Sequence, residues 1–177
     1  MSGTLKCEEQ RRSEKERRMV IHVSSSPQTM ADYGILVKHW GKVEADYDGH
    51  GSLFMTRLFK KHPNTQKMFP KFADIAQADL ASNADVTALG SAVLKKLGEV
   101  LKAGGNHATI LKPVAKSHAE KLKIPFDKLD FLLIDVAAEI IKEKAELDAD
   151  GQQALKGMMA VVHADFEATY KELGLIA

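Results

Sequence analysis

Apolar residues recur every three or four positions along most of this chain, the period of amphipathic helices rather than strands. The stripes begin after Ala31, where Asp32 is suited to cap a first helix running through Trp40, Val43 and Tyr47. A second opens near Asp48-Gly49-His50-Gly51 and carries Leu53, Phe54, Leu58 and Phe59 up to His62-Pro63. Pro63 starts a short turn that ends at Met68-Phe69-Pro70-Lys71-Phe72, and a linker follows through Asp79. A long helix is predicted over about Asn83 to Lys102, with Val86, Leu89, Val93, Leu97 and Leu101 on one face and Gly104-Gly105 closing it. The next spans roughly His107 to Leu122. Pro125 suits the first turn of another, continuing to about Lys144. Asp148 or Asp150 caps the last, which Gly174 ends. There is no strand alternation and no Asn-Gly hairpin signal, so the fold class is all-α.

One stripe contains chemistry. Leu111, Val114, Ala115, His118 and Leu122 share a face, which sets an imidazole among apolar side chains. Pro113 removes a backbone donor one turn earlier. Ser117, or the Val114 carbonyl four residues back, can satisfy one ring nitrogen and leave the other as a ligand. Two roles suit such a residue: a core histidine with one hydrogen bond, or a metal ligand. No Cys, Asp or second His stands at ligand spacing around it, so a zinc site does not assemble. Haem asks for less, because the porphyrin supplies four nitrogens and the protein one axial ligand.

Length and composition narrow the classes. The 177 residues, 45% of them hydrophobic, suit one domain with a full core. A formal net charge of +1 argues against nucleic-acid binding, and no apolar run reaches the ~18 residues of a membrane span. The single cysteine, Cys7, excludes a disulfide framework and fits a reducing compartment. Residues 1–29 read as a disordered extension: six basic side chains stand against four acidic ones, apolar residues are few, and Ser24-Ser25-Ser26-Pro27 resembles a linker. The domain is then 30–177. Among the other histidines, His39, His50, His62, His107 and His163 share no ligand spacing, and His50 is placed to bond between helices. Lys95-Lys96 reads as a solvated face.

From Met30 to Gly174 the chain resembles the vertebrate myoglobins of the globin family, above all those of bony fish. The resemblance is carried by Trp40-Gly41…Val43-Glu44-Ala45-Asp46-Tyr47, Thr56-Arg57-Leu58-Phe59-Lys60, His62-Pro63-Asn64-Thr65-Gln66-Lys67 and Phe69-Pro70-Lys71-Phe72. It continues through Val93-Leu94-Lys95-Lys96-Leu97-Gly98, Leu111-Lys112-Pro113…Ser117-His118-Ala119 and Tyr170-Lys171-Glu172-Leu173-Gly174. It implies a globin fold of seven to eight helices around a pocket for haem b (iron protoporphyrin IX). His118 matches the iron ligand, Phe69 the phenylalanine on the porphyrin face and Val93 the aliphatic residue over the ligand site. Phe72 matches a second corner aromatic, Lys71 a basic position near a propionate, and Ser117 a hydroxyl that steadies the ligand ring. Leu129 and Leu132 match the back of the pocket. Implied with them are a monomeric, cytoplasmic (sarcoplasmic) protein, oxygen storage and diffusion in muscle, dioxygen, carbon monoxide and nitric oxide as ligands, and side activities as nitrite reductase and pseudoperoxidase.

Three positions depart from the family pattern. Leu89, before Gly90, stands where a distal histidine is usual; Met55 replaces a leucine facing the ligand; Leu122 replaces a histidine near a propionate. Leu89 has no N–H to offer a polarised diatomic ligand. The resulting expectation is oxygen release roughly ten- to a hundredfold faster than with a histidine. Peroxidase turnover, which needs a distal acid–base group, should be weak. An apolar distal side also suits an alternative role in sensing carbon monoxide or nitric oxide, or in scavenging nitric oxide.

Overall fold

The computed structural model describes residues 28–129 and 135–177, and among these there is no strand. Most of the expected 1–29 extension, and Leu132, lie outside the described residues. In chain order the helices are α1 (Gln28–Glu44), α2 (Tyr47–Lys61), α3 (Pro63–Gln66), α4 (Ala84–Lys102), α5 (His107–Glu120), α6 (Phe126–Leu129), α7 (Ala138–Lys144) and α8 (Ala149–Glu172). A 3₁₀ turn, Leu80–Ser82, leads into α4.

Local signals place most boundaries. The Asn83 side chain accepts from the backbone N–H of Asp85 and of Val86, which starts α4. Gly104 and Gly105, at φ +57° and +107°, let the chain turn left-handed after it. Asp148 caps α8 by accepting from Gly151 N–H at 2.8 Å, and Gly174 ends the following turn at φ +69°. Three boundaries differ from the sequence expectation. Asp32 lies inside α1, which begins four residues earlier. Tyr47 opens α2 instead of closing α1, because the Asp46 carboxylate accepts from Gly49 N–H at 2.8 Å and takes the capping role. The helix expected from Pro125 to Lys144 is described as α6 and α7, with a wider π-type turn at 135–137 before α7.

Packing is closest where α2 crosses α4. A Cβ on Gly51 would run into the backbone of Gly90 and Ser91, and one on Gly90 into Gly51. Two side-chain-free residues therefore let these helices meet backbone to backbone, the geometry that brings Met55 and Leu89 toward one space. His50 Nδ1 lies 3.2 Å from the Val43 carbonyl, the interhelix bond foreseen for it. Trp40 Nε1–H donates to the Tyr47 hydroxyl at 3.1 Å, bracing the α1–α2 corner over Gly98. α8 spans the core, with α1 on one side and α5 on another. The Tyr170 hydroxyl donates to the Ile124 carbonyl at 2.8 Å and so anchors the corner after α5.

Candidate functional site

Between α2, α4, α5 and α8 lies a cavity of about 770 Å³, counting its open mouth. α4 contributes Leu89, Val93 and Leu97 at helical spacing; α2 contributes Phe54, Met55 and Leu58. The opposite wall holds Leu111, Val114 and His118 of α5, with Val162 and Phe166 of α8. Phe69 closes one end, Ile124 and Leu129 another, and Lys96 and Leu122 complete the lining. Among the described residues, His118 and Lys96 are the only lining residues whose side chains carry nitrogen or oxygen.

His118 sits in this wall with Nδ1 2.8 Å from the Val114 carbonyl. Side chains on a helix lean toward its N-terminus, so the ring reaches back to that carbonyl and not sideways to the Ser117 hydroxyl. The carbonyl can only accept, which makes Nδ1 the protonated nitrogen and leaves the Nε2 lone pair for a ligand. Pro113 acts elsewhere: the carbonyl it deprives of a helical donor is that of Thr109, four residues before it. Burial pushes the ring's proton affinity below that of an ordinary histidine, with the Val114 bond opposing the shift. A neutral imidazole with one free lone pair is the form that binds metal.

Phe69 is carried by the turn after α3. Its ring stacks on Phe72 at 5.9 Å and meets Phe59 at 5.7 Å. Two glutamines hold that turn. Gln66 Nε2–H₂ donates to the carbonyls of Phe72 and Ile75, both at 2.7 Å. Gln77 Nε2–H₂ donates to the Phe59 carbonyl at 3.0 Å and to Gln66 Oε1 at 3.3 Å. The pattern of apolar positions singles out neither of them. The signal for them is indirect: a turn that buries aromatic rings also buries carbonyls, which then need donors.

Of the residues expected at the site, His118, Phe69, Val93, Leu89, Met55 and Leu129 meet in the one cavity. Lys71 is exposed and Ser117 half-buried, and neither lines it. Phe72 is buried behind Phe69 and does not reach the cavity. Lys96 corrects the reading of Lys95-Lys96 as a solvated pair: its stem lines the cavity while its Nζ pairs with Glu99 at 2.6 Å. Lys95 lies over the Tyr47 ring at 5.7 Å. The α8 contribution, Val162 and Phe166, was not expected.

The donor set discriminates between metal groups. Among the described residues, no three His, Cys, Asp or Glu side chains gather as a metal site. One free imidazole nitrogen in an otherwise apolar, open-mouthed cavity does fit a flat apolar group that brings its own metal and four of its ligands, as haem does. No helix of the described residues is long and apolar enough to cross a membrane.

Comparison with known proteins agrees with this donor set. The family model described as Globin matches residues 52–166. The chain is 60% identical over 145 residues to a protein named Myoglobin from Sarda chiliensis, covering 82% of this chain and 98% of that one. It is 59% identical to Myoglobin from Makaira nigricans at the same coverage. It is 58% identical over 146 residues to Myoglobin from Gobionotothen gibberifrons, again covering 82% and 98%.

Proposed function

Because this chain belongs to the globin family, whose cofactor is haem b, we propose that His118 Nε2 is its iron ligand and that the protein stores oxygen and eases its diffusion in muscle cytoplasm. The observation that carries the assignment is the His118 bond to Val114, which leaves a neutral ring nitrogen for a cavity where, among the described residues, only Lys96 offers another polar side chain. When bound, haem supplies a ferrous iron to which dioxygen attaches reversibly. The chain's own part is to hold and shield it. Phe69 would pack against the bound group, while Val93, Leu89 and Met55 would keep water from it. Leu129 backs the pocket. Lys71 and Ser117 keep their expected roles beside a propionate and beside the ligand ring only if they turn toward the cavity when it is filled.

Leu89 favours a second reading. With no N–H on that wall, the preference for polar dioxygen over carbon monoxide or nitric oxide weakens, which suits sensing or scavenging of those gases. Nitrite reduction and peroxide cleavage both need a proton, and Leu89 has none to give. Either activity is then slow.

A visible spectrum tests both readings. The haem-loaded protein, reduced under argon, should show a five-coordinate ferrous spectrum. The His118→Gly variant should lose it and regain it with added imidazole; an unchanged variant would remove His118 as the ligand. In air, a two-banded spectrum stable for an hour supports storage, and rapid browning moves the assignment to gas sensing or scavenging.

A further inference from the structure

We propose that Phe166 is a positioning residue that sets the rotation of the His118 ring, a reading that rests on His118 being the iron ligand. A histidine's second side-chain torsion is broad and roughly two-fold, so its ring has no strong rotational preference of its own. The single bond from Nδ1 to the Val114 carbonyl holds one corner of the ring and leaves it free to rock about that contact. Phe166 removes this freedom. Its ring centre lies 5.5 Å from that of His118, and the two planes meet at 74°, the edge-to-face arrangement aromatic pairs prefer. Rotating the imidazole toward coplanarity would give up that edge-to-face contact.

Phe166 is itself held in place. It is 3% exposed, and on the next turn of α8 Tyr170 is tied to the Ile124 carbonyl, in the corner beyond His118's own helix. One face of α8 therefore lines the cavity with Val162, meets the ligand ring with Phe166 and anchors the following corner with Tyr170. The orientation of an imidazole plane decides how well its nitrogen lone pair meets a metal. A residue that fixes the plane thus tunes the strength of that bond without touching the metal.

The test compares Phe166→Leu, Phe166→Tyr and Val162→Ala in the haem-loaded full chain. The readouts are the iron–imidazole stretching band in the ferrous resonance Raman spectrum and the rate of haem transfer to an excess of a tighter-binding apoprotein. Phe166→Leu should shift and broaden the band and speed haem loss about two- to tenfold. Phe166→Tyr, which keeps the ring, should restore the band. Val162→Ala enlarges the cavity and should speed haem loss without moving the band. A Phe166→Leu band identical to that of the unmodified protein, or a Val162→Ala band shifted as much, overturns the proposal. Proton NMR of the haem-free, unsubstituted protein gives a second check, independent of variant folding: cross-peaks between the His118 and Phe166 rings are expected, and their absence also overturns it. Failure of the underlying assignment looks different, since His118→Gly would then leave the Raman band in place.

Discussion

At the scale of single residues, Leu89 and His118 define what the cavity can do. Leu89 is an apolar side chain facing the space where a hydrogen-bond donor would discriminate between ligands. A hydrogen bond to a charged acceptor is worth about 1.5–3 kcal/mol, so Leu89→His should slow oxygen dissociation roughly ten- to a hundredfold. Carbon monoxide release should change far less. Stopped-flow displacement measures both, and an oxygen off-rate unaffected by the substitution would show that no donor reaches the ligand from this position. His118 has a consequence in the haem-free protein. Desolvation lowers its proton affinity in the folded state, only partly offset by the Val114 bond. The unfolded chain then takes up a proton that the folded chain refuses, so stability falls as pH drops through the ordinary histidine value of about 6.5 toward the lower folded value. Urea unfolding at pH 7.5 and 5.5 should reveal this loss in the apoprotein, and His118→Gln should make the loss smaller. An equal loss in both would assign it to other groups.

At the scale of elements, the turn that carries Phe69 is held by Gln66 as well as by its own backbone bonds. The Gln66 carboxamide answers two carbonyls that have been drawn inward with Phe72 and Ile75. Gln66→Leu keeps the volume but strands the Ile75 carbonyl and leaves the Phe72 carbonyl only the Ile75 N–H, and should cost about 1–3 kcal/mol of stability. Gln77, which is exposed, should matter less on substitution by Ala, at under ~1 kcal/mol. Urea midpoints at constant slope measure the difference, and Gln77→Ala exceeding Gln66→Leu would reverse this assignment. Neither glutamine was legible in the sequence. Their neighbours Pro63, Pro70 and Phe69 announced a turn, but only the folded turn determines which carbonyls lose contact with water. Lys96 failed to stand out for a similar reason. A lysine is read as solvent-facing from its charged head, while its stem can line an apolar wall.

At the scale of the whole molecule, the cavity leaves an opening in the core that the cofactor completes. Removing haem leaves the cavity walls, among them Phe54, Met55, Leu97 and Leu111, without that packing partner. A ligand that binds only the folded state adds about 4 kcal/mol when present at a thousand times its dissociation constant. The thermal midpoint should therefore fall on haem extraction and climb with the concentration of added haem, as scanning calorimetry can measure. A midpoint indifferent to haem would mean that haem does not bind the folded state preferentially. The link between α5 and α8 through Tyr170 and Ile124 predicts that both helices gain protection against amide exchange in that titration.

Some of this was present in the chain alone. The period of apolar residues specifies helices, Asn83 and Asp148 start two of them, and Gly104-Gly105 and Gly174 stop two, because capping and left-handed turns act through backbone atoms only a few residues away. An imidazole on an apolar face four residues past Val114 was equally visible, as was the family resemblance, which rests on runs of residues in order. Tertiary structure decided the remainder. Asp46 caps α2 ahead of the expected start near Asp48, Phe166 reaches the His118 ring from the last helix, Gln66 turns inward, and Gly51 and Gly90 meet at a helix crossing. Each of these depends on which segments the closed core presses together. Such contacts join residues far apart in the chain, and no local period records them.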